Sequence, residues 1–279
     1  LKKNSSKERP MKYKTGRLIL LSGLILFFLI LKVNFVFSFG FTEKGRETVN
    51  LQTYVVSDFG DEKDQTNGIV WRAKFSRFAK PADPNKEMST WDTNACDVRY
   101  VEAKPLGIPQ ELESRQKWSL GVKAQFIKKG YNWIELYTVK AKGSIYSAQG
   151  QPDPNVEGDK IALPLIGVIK SLDLWVWGGN YRYWLEFYLV DYKGFLHRLP
   201  AGDIEYVGWR NLRTRIPEYI PQAQKHVPFL KPLKLEMIKL WSFPDERVDQ
   251  FFVYLDYMQV QTDVYLERFN GDDLASKIW

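Results

Sequence analysis

Residues 172–216 read LDLWVWGGNYRYWLEFYLVDYKGFLHRLPAGDIEYVGWRNLRTRI. Apolar and aromatic side chains recur at every second position, and short Gly and Asp turns interrupt them. Trp175 and Trp177 alternate with Leu174 and Val176. After Gly178-Gly179-Asn180, the residues Tyr181, Tyr183, Leu185, Phe187 and Leu189 keep the same period, and Asp191-Tyr192-Lys193-Gly194 marks a second turn. A period of two broken by turn residues predicts a β-meander. Apolar character on both faces places these strands in a sandwich or barrel rather than a one-sided sheet.

Outward from this stretch the pattern continues. Strands are predicted over 49–57, 69–78, 98–103, 116–126, 132–139, 160–170, 233–241 and 250–261, with loops at 81–92 and 143–160. Four prolines (Pro217, Pro221, Pro228, Pro232) exclude a central strand between 217 and 232. No fixed-period repeat and no long amphipathic helix interrupts the series. The fold class expected is all-β, a two-sheet jelly-roll sandwich resembling galactose-binding and carbohydrate-binding modules, behind an N-terminal signal segment.

The 279 residues are 44% hydrophobic and include ten Trp, enough for one large core. The formal net charge of +7 is carried entirely by residues 1–40, where eight Lys/Arg face one Glu; the rest holds 32 bases and 32 acids. A neutral folded part removes the electrostatic case for nucleic acid. The basic head runs into Leu18–Leu31, fourteen residues without charge. That is the layout of a secretory signal, with Met11 as a start and cleavage after Gly40. A retained anchor needs about 20 apolar residues, and Lys32 interrupts the run. The expected organisation is signal segment 1–40, one jelly-roll domain 41–265 and a polar tail 266–279. The single cysteine, Cys96, reads as a buried small hydrophobe, with intermolecular pairing as the alternative.

Motifs for chemistry are sparse. His197 and His226 lack a second ligand at metal spacing, and no nucleophile elbow, zinc, phosphate-loop or dinucleotide signature occurs. Glu186 is the carboxylate a glycosidase reading would use, and ion pairing with a nearby base is the plainer role. Asp58, Asp61, Glu62 and Asp64 follow the first strand, and Asp256 lies on the last. Asp58, Asp61 and Asp256 are therefore the candidate ligands for a structural calcium, with no other cofactor expected. Trp209, Arg213 and Arg215 share one strand face with Asn211 and form a candidate contact row.

The Val49–Gly60 strand ending in Asp-Phe-Gly, Trp91-Asp92-Thr93-Asn94 before Arg99-Tyr100-Val101, the Trp175–Gly194 meander, Gly208-Trp209-Arg210-Asn211-Leu212 and Phe252–Val260 together resemble the spirochaete flagellar filament outer-layer (sheath) protein family. The likeness spans the chain after its head, and the order of the motifs is more specific than any one of them. The resemblance implies a non-enzymatic periplasmic protein that coats a flagellin core beside other sheath subunits and affects filament stiffness, curvature and motility. Self-association is compatible with it; nucleic acid and a lasting membrane anchor are not expected. A periplasmic carbohydrate-binding module is the alternative.

Overall fold

The structure is a computed structural model and describes residues 51–80, 96–108, 115–148, 150–224, 227–230 and 232–263. The expected signal segment, the Trp91–Asn94 motif, His226 and the polar tail lie outside these residues. Val49–Trp279 forms one compact unit.

Fifteen strands and one short helix are present among the described residues. They are β1 (Leu51–Ser57), α1 (Glu62–Asn67), β2 (Ile69–Phe75), β3 (Asp97–Glu102), β4 (Trp118–Ala124), β5 (Trp133–Ala141), β6 (Gly158–Ile161), β7 (Leu163–Pro164) and β8 (Val168–Gly179). Then follow β9 (Tyr183–Val190), β10 (Leu196–Asp203), β11 (Val207–Arg215), β12 (Ala223–Gln224), β13 (Val227–Leu230), β14 (Lys234–Ser242) and β15 (Phe251–Asp263). One sheet runs β11-β8-β15-β4-β3, with β1 also on β15; the other runs β10-β9-β14-β5-β2, with β6 on β5 and β7 on β14. Every pairing is antiparallel. The two-sheet all-β sandwich is thus the architecture that the alternation of residues 172–216 dictates.

The core lies between the sheets. Leu172, Leu174 and Val176 of β8, Val253 and Leu255 of β15, and Leu120 and Val122 of β4 are fully buried. So are Tyr183, Leu185, Phe187 and Leu189 of β9, and Ile238 and Leu240 of β14. Tyr183 stacks on Phe251 at 3.9 Å between centroids. Each such side chain contributes roughly 1.5–3 kcal/mol of burial. Cys96 joins this core and is not disulfide-bonded.

Three details differ from the sequence reading. The outward aromatics of β8 and β9 (Trp175, Trp177, Trp184 and Tyr188) are half-buried rather than buried, so they decorate the outside of the sandwich. The glycines at 178 and 179 end β8 rather than forming the turn, which falls at Asn180–Arg182, with Asn180 at φ 59°. The apolar run 160–170 is divided among β6, β7 and the start of β8.

Strand β15 has two partners along one edge. Residues Phe251–Leu255 pair with β4, and Met258–Asp263 pair with β1. The register shifts between Asp256 and Met258, with Tyr257 at φ 43°. A bulge there leaves a gap between the end of β1 and the start of β4. What fills that gap decides the fate of the candidate metal ligands.

Candidate functional site

The gap is closed by carboxylates. Asp58 accepts the backbone N–H groups of Lys63 and Asp64. Asp61 Oδ2 accepts those of Lys117 at 2.8 Å and Trp118 at 3.0 Å, so it caps the start of β4. Asp64 Oδ2 accepts from Ser57 Oγ at 2.7 Å, and Ser57 in turn accepts from Trp71 Nε1 at 2.8 Å. Asp256 accepts from Ser119 Oγ at 3.1 Å and from the N–H of Tyr257 at 2.7 Å. The Gln116 amide nitrogen donates to both the Asp58 carbonyl and Asp256 Oδ1.

Burial sets the ionisation here. It holds the Asp58 carboxyl above its usual value, and pushes Asp61 up to about 6 despite the two backbone donors. Asp64 is displaced well upward by burial and by the charge of Asp58; Asp256 is also well above normal, burial again being the cause. Asp64 Oδ1 is buried with no hydrogen-bond partner, which an uncharged carboxyl tolerates far better than a carboxylate.

A calcium ion needs six to eight oxygen ligands. The structure does bring Asp58, Asp61 and Asp256 together, but as hydrogen-bond acceptors. The position between the Asp58 carbonyl and Asp256 holds an amide donor, and among the described residues no group of three or more His, Cys, Asp or Glu has metal-holding geometry. As it stands, the cluster is closed by hydrogen bonds. Its chemistry is structural: side chains replace the missing strand partner where β15 passes from β4 to β1.

The outward faces of the sheets are chemically unlike. On the second sheet Trp133, Trp241 and Trp184 stand in one register row across β5, β14 and β9. Trp184 and Trp241 stack at 6.2 Å, and Lys239 Nζ lies 4.6 Å from the Trp133 ring and 4.3 Å from the Trp241 ring. Lys239 is paired with Glu135 at 2.7 Å. Glu186, the carboxylate of the glycosidase reading, accepts from Trp184 Nε1 (3.1 Å), Tyr188 OH (2.9 Å) and Trp241 Nε1 (3.0 Å), with Arg198 at 3.7 Å. It is 5% exposed and wholly engaged as an acceptor. Sequence spacing could not reveal this network, because its members come from separate strands. His197 is likewise engaged, against Asp191 at 2.9 Å.

The first sheet is open. Four registers cross β11, β8 and β15: Trp209–Trp177–Tyr254, Asn211–Trp175–Asp256, Arg213–Asp173–Gln259 and Arg215–Ser171–Gln261. Asn211, Arg213 and Arg215 are exposed and Trp209 is half-buried, as an outward strand face requires. Buried Asp173 grips Arg213 at 2.9 Å and 3.0 Å through Nε and 2.6 Å through Nη2. Trp177 stacks on Phe252 at 5.6 Å and meets Tyr254 edge-on. Trp175 leans on Gly107, where a Cβ would stand 2.3 Å from its ring. Beyond Arg215 the face deepens into a groove of about 830 Å³ lined by Lys170, Ser171, Arg215, Tyr219, Gln222 and Gln261, among others.

A family model described as flagellar filament outer layer protein FlaA matches residues 48–269. A putative flagellar filament outer layer-like protein of Brachyspira hyodysenteriae is 24% identical over 188 residues, 67% of this chain and 77% of that protein. The flagellar filament outer layer protein of Spirochaeta aurantia is 24% identical over 176 residues, which is 57% of this chain but only 52% of that relative. Among solved structures, a carbohydrate-binding module of Caldicellulosiruptor saccharolyticus in complex with mannohexaose is similar at a TM-score of 0.37, with 12% identity, over 75% of this chain and 96% of that one. A carbohydrate-binding module of the β-sandwich superfamily is similar at a TM-score of 0.38, with 10% identity, over 72% and 62%.

Proposed function

The chain belongs to the flagellar filament outer layer protein family, and from that premise we propose that it is a non-enzymatic coat subunit laid over a flagellin core. The observation that carries this reading is the extent of the family match, which takes in every described strand of both sheets. A coat subunit has to be rigid and has to present contact surface in several directions. The described sandwich supports both: its core is held by packing without a disulfide, and aromatic rows project from each sheet. Heterologous, non-closing contacts between such faces extend along a filament.

The finer parts of the proposal are a periplasmic location, export with residues 1–40 as the removed signal and 41–265 as the folded domain, and control of filament stiffness and curvature. Neighbouring partners would be the flagellin core and other coat subunits. No catalytic role is proposed, since Glu186 and His197 are both spent on internal hydrogen bonds. The test is deletion of the gene followed by electron microscopy of purified filaments. Thinner filaments with altered curvature, restored by complementation, are expected; filaments of unchanged diameter and shape refute the role.

A further inference from the structure

We propose that the outward face of β11, β8 and β15 binds an acidic saccharide, its rings lying against Trp209 and Trp175 and its carboxylate reaching Arg215 and Lys170. This goes beyond the filament reading and does not depend on it. The first observation is which indoles are free. On the second sheet the tryptophan faces are taken by Lys239 and by one another, and the N–H groups of Trp184 and Trp241 are donated to Glu186. On the first sheet, among the described residues, Trp209 and Trp175 have neither an aromatic nor a cationic partner and their N–H groups have no acceptor. A half-exposed indole with a free face and a free donor suits a ligand that is apolar on its ring face and polar on its rim.

The second observation is composition. Across the four registers of these three strands no position on this face is aliphatic; beside the aromatics the accessible groups are the Asn211, Gln259 and Gln261 amides and the Arg213 and Arg215 guanidinium groups, while Ser171, Asp173 and Asp256 are buried beneath them. A protein-binding core is built from aromatic, Met and other apolar anchors that exclude water. Planar amides beside open indoles instead match a ligand rich in hydroxyl groups. The face runs about 20 Å from Trp209 to Arg215 at strand spacing, long enough for several linked rings.

The third observation is charge. Arg213 is neutralised by Asp173, which holds it in a fixed orientation. Arg215 and Lys170 have no ion-pair partner among the described residues, and Glu218 is the one acid among the described residues lining the groove they share. The groove therefore has surplus positive charge beside the aromatic rows, which selects a ligand carrying carboxylates. Preorganisation by Asp173 and Gly107 limits the ordering cost on binding.

Titration calorimetry with the full chain tests this, using a tetragalacturonate and an uncharged tetrasaccharide of the same ring number in roughly 0.1 M salt. The acidic probe is expected to bind at least tenfold more tightly than the neutral one. Trp209→Ala and Arg215→Gln should each weaken it tenfold or more, and Tyr131→Ala, beside the other sheet, should leave it unchanged. Arg215 is exposed, so its variant retains the fold. No binding of the acidic probe overturns the inference, as does equal binding of both probes. Binding that falls with Arg215→Gln but survives Trp209→Ala also overturns it, because that is simple ion exchange. If saccharides fail while both variants abolish co-sedimentation with filaments, the face is a protein contact: the inference falls and the coat role stands. Saccharide binding without any filament phenotype upholds the inference and removes the coat role.

Discussion

Replacing Asp61 by asparagine should stabilise the protein at neutral pH and do nothing for it in acid. Asp61 is 6% exposed, and its carboxyl ionises at about 6 rather than 3.8 because burial disfavours the charge and Asp58 adds repulsion. Unfolded, it ionises near its ordinary value. Between these points the folded chain keeps a proton that the unfolded chain has released, so stability falls as pH rises from about 4 to about 6 and then levels off. At about 1.4 kcal/mol for each tenfold displacement, the full effect is up to about 3 kcal/mol. The cleft beside Arg115 and Tyr257 reaches the neighbouring Asp58, so screening reduces this to roughly half, about 1.5 kcal/mol. The substituted side chain retains a carbonyl oxygen that can accept from Lys117 and Trp118. Urea unfolding followed by tryptophan fluorescence, on wild type and Asp61→Asn at about pH 4 and about pH 8, isolates the effect as a double difference. A gain at the higher pH that vanishes at the lower is expected. An equal effect at both pH values would falsify the idea that Asp61 is buried as an acid.

Three further outcomes can be checked. Gly107→Ala sets a methyl 2.3 Å from the Trp175 ring, so a loss of about 1–3 kcal/mol is expected in the same unfolding assay, with a shifted indole emission; unchanged stability sinks the packing argument. Glu186→Gln removes one acceptor oxygen from three donors; a loss of about 1–3 kcal/mol is expected, with no glycan hydrolysis by either protein, and turnover by wild type alone would reinstate the catalytic reading. Millimolar calcium or EDTA should leave the melting temperature in place, because a ligand shifts it only by binding the folded state; a clear rise with calcium contradicts the amide-closed gap.

Which parts of this molecule are legible in its sequence follows from the range of the forces involved. Alternation along Leu172–Leu189 is local, so it identifies β8, β9 and the inward set Leu185, Phe187 and Leu189. The shared face of Trp209, Asn211, Arg213 and Arg215 is equally local, and the structure keeps it. The other wall of that face is not local: Asp173 meets Arg213 only through strand register, forty residues apart. The acidic run at 58–64 suggests a metal because carboxylates are costly to bury without a counter-charge. What the run cannot disclose is Gln116, whose amide arrives from a distant part of the chain and takes the place a cation would need. The six-residue helix α1 escapes a sequence reading for a simpler reason, being too short to show a period.

The split partnership of β15 bears on when this protein can fold. The strand that sits between β8 on one side and β4 and β1 on the other is the last of those described, Phe251–Asp263, and its pairing joins Leu51 to Asp263 across the whole domain. The first sheet therefore has no middle until β15 has left the ribosome. Contacts of such long sequence separation make assembly slow, and a chain that cannot close early remains extended and threadable. A truncated product lacking β15 would expose strand edges on three neighbours at once, a ready substrate for proteolysis or aggregation. The topology thus makes closure of the first sheet wait for β15.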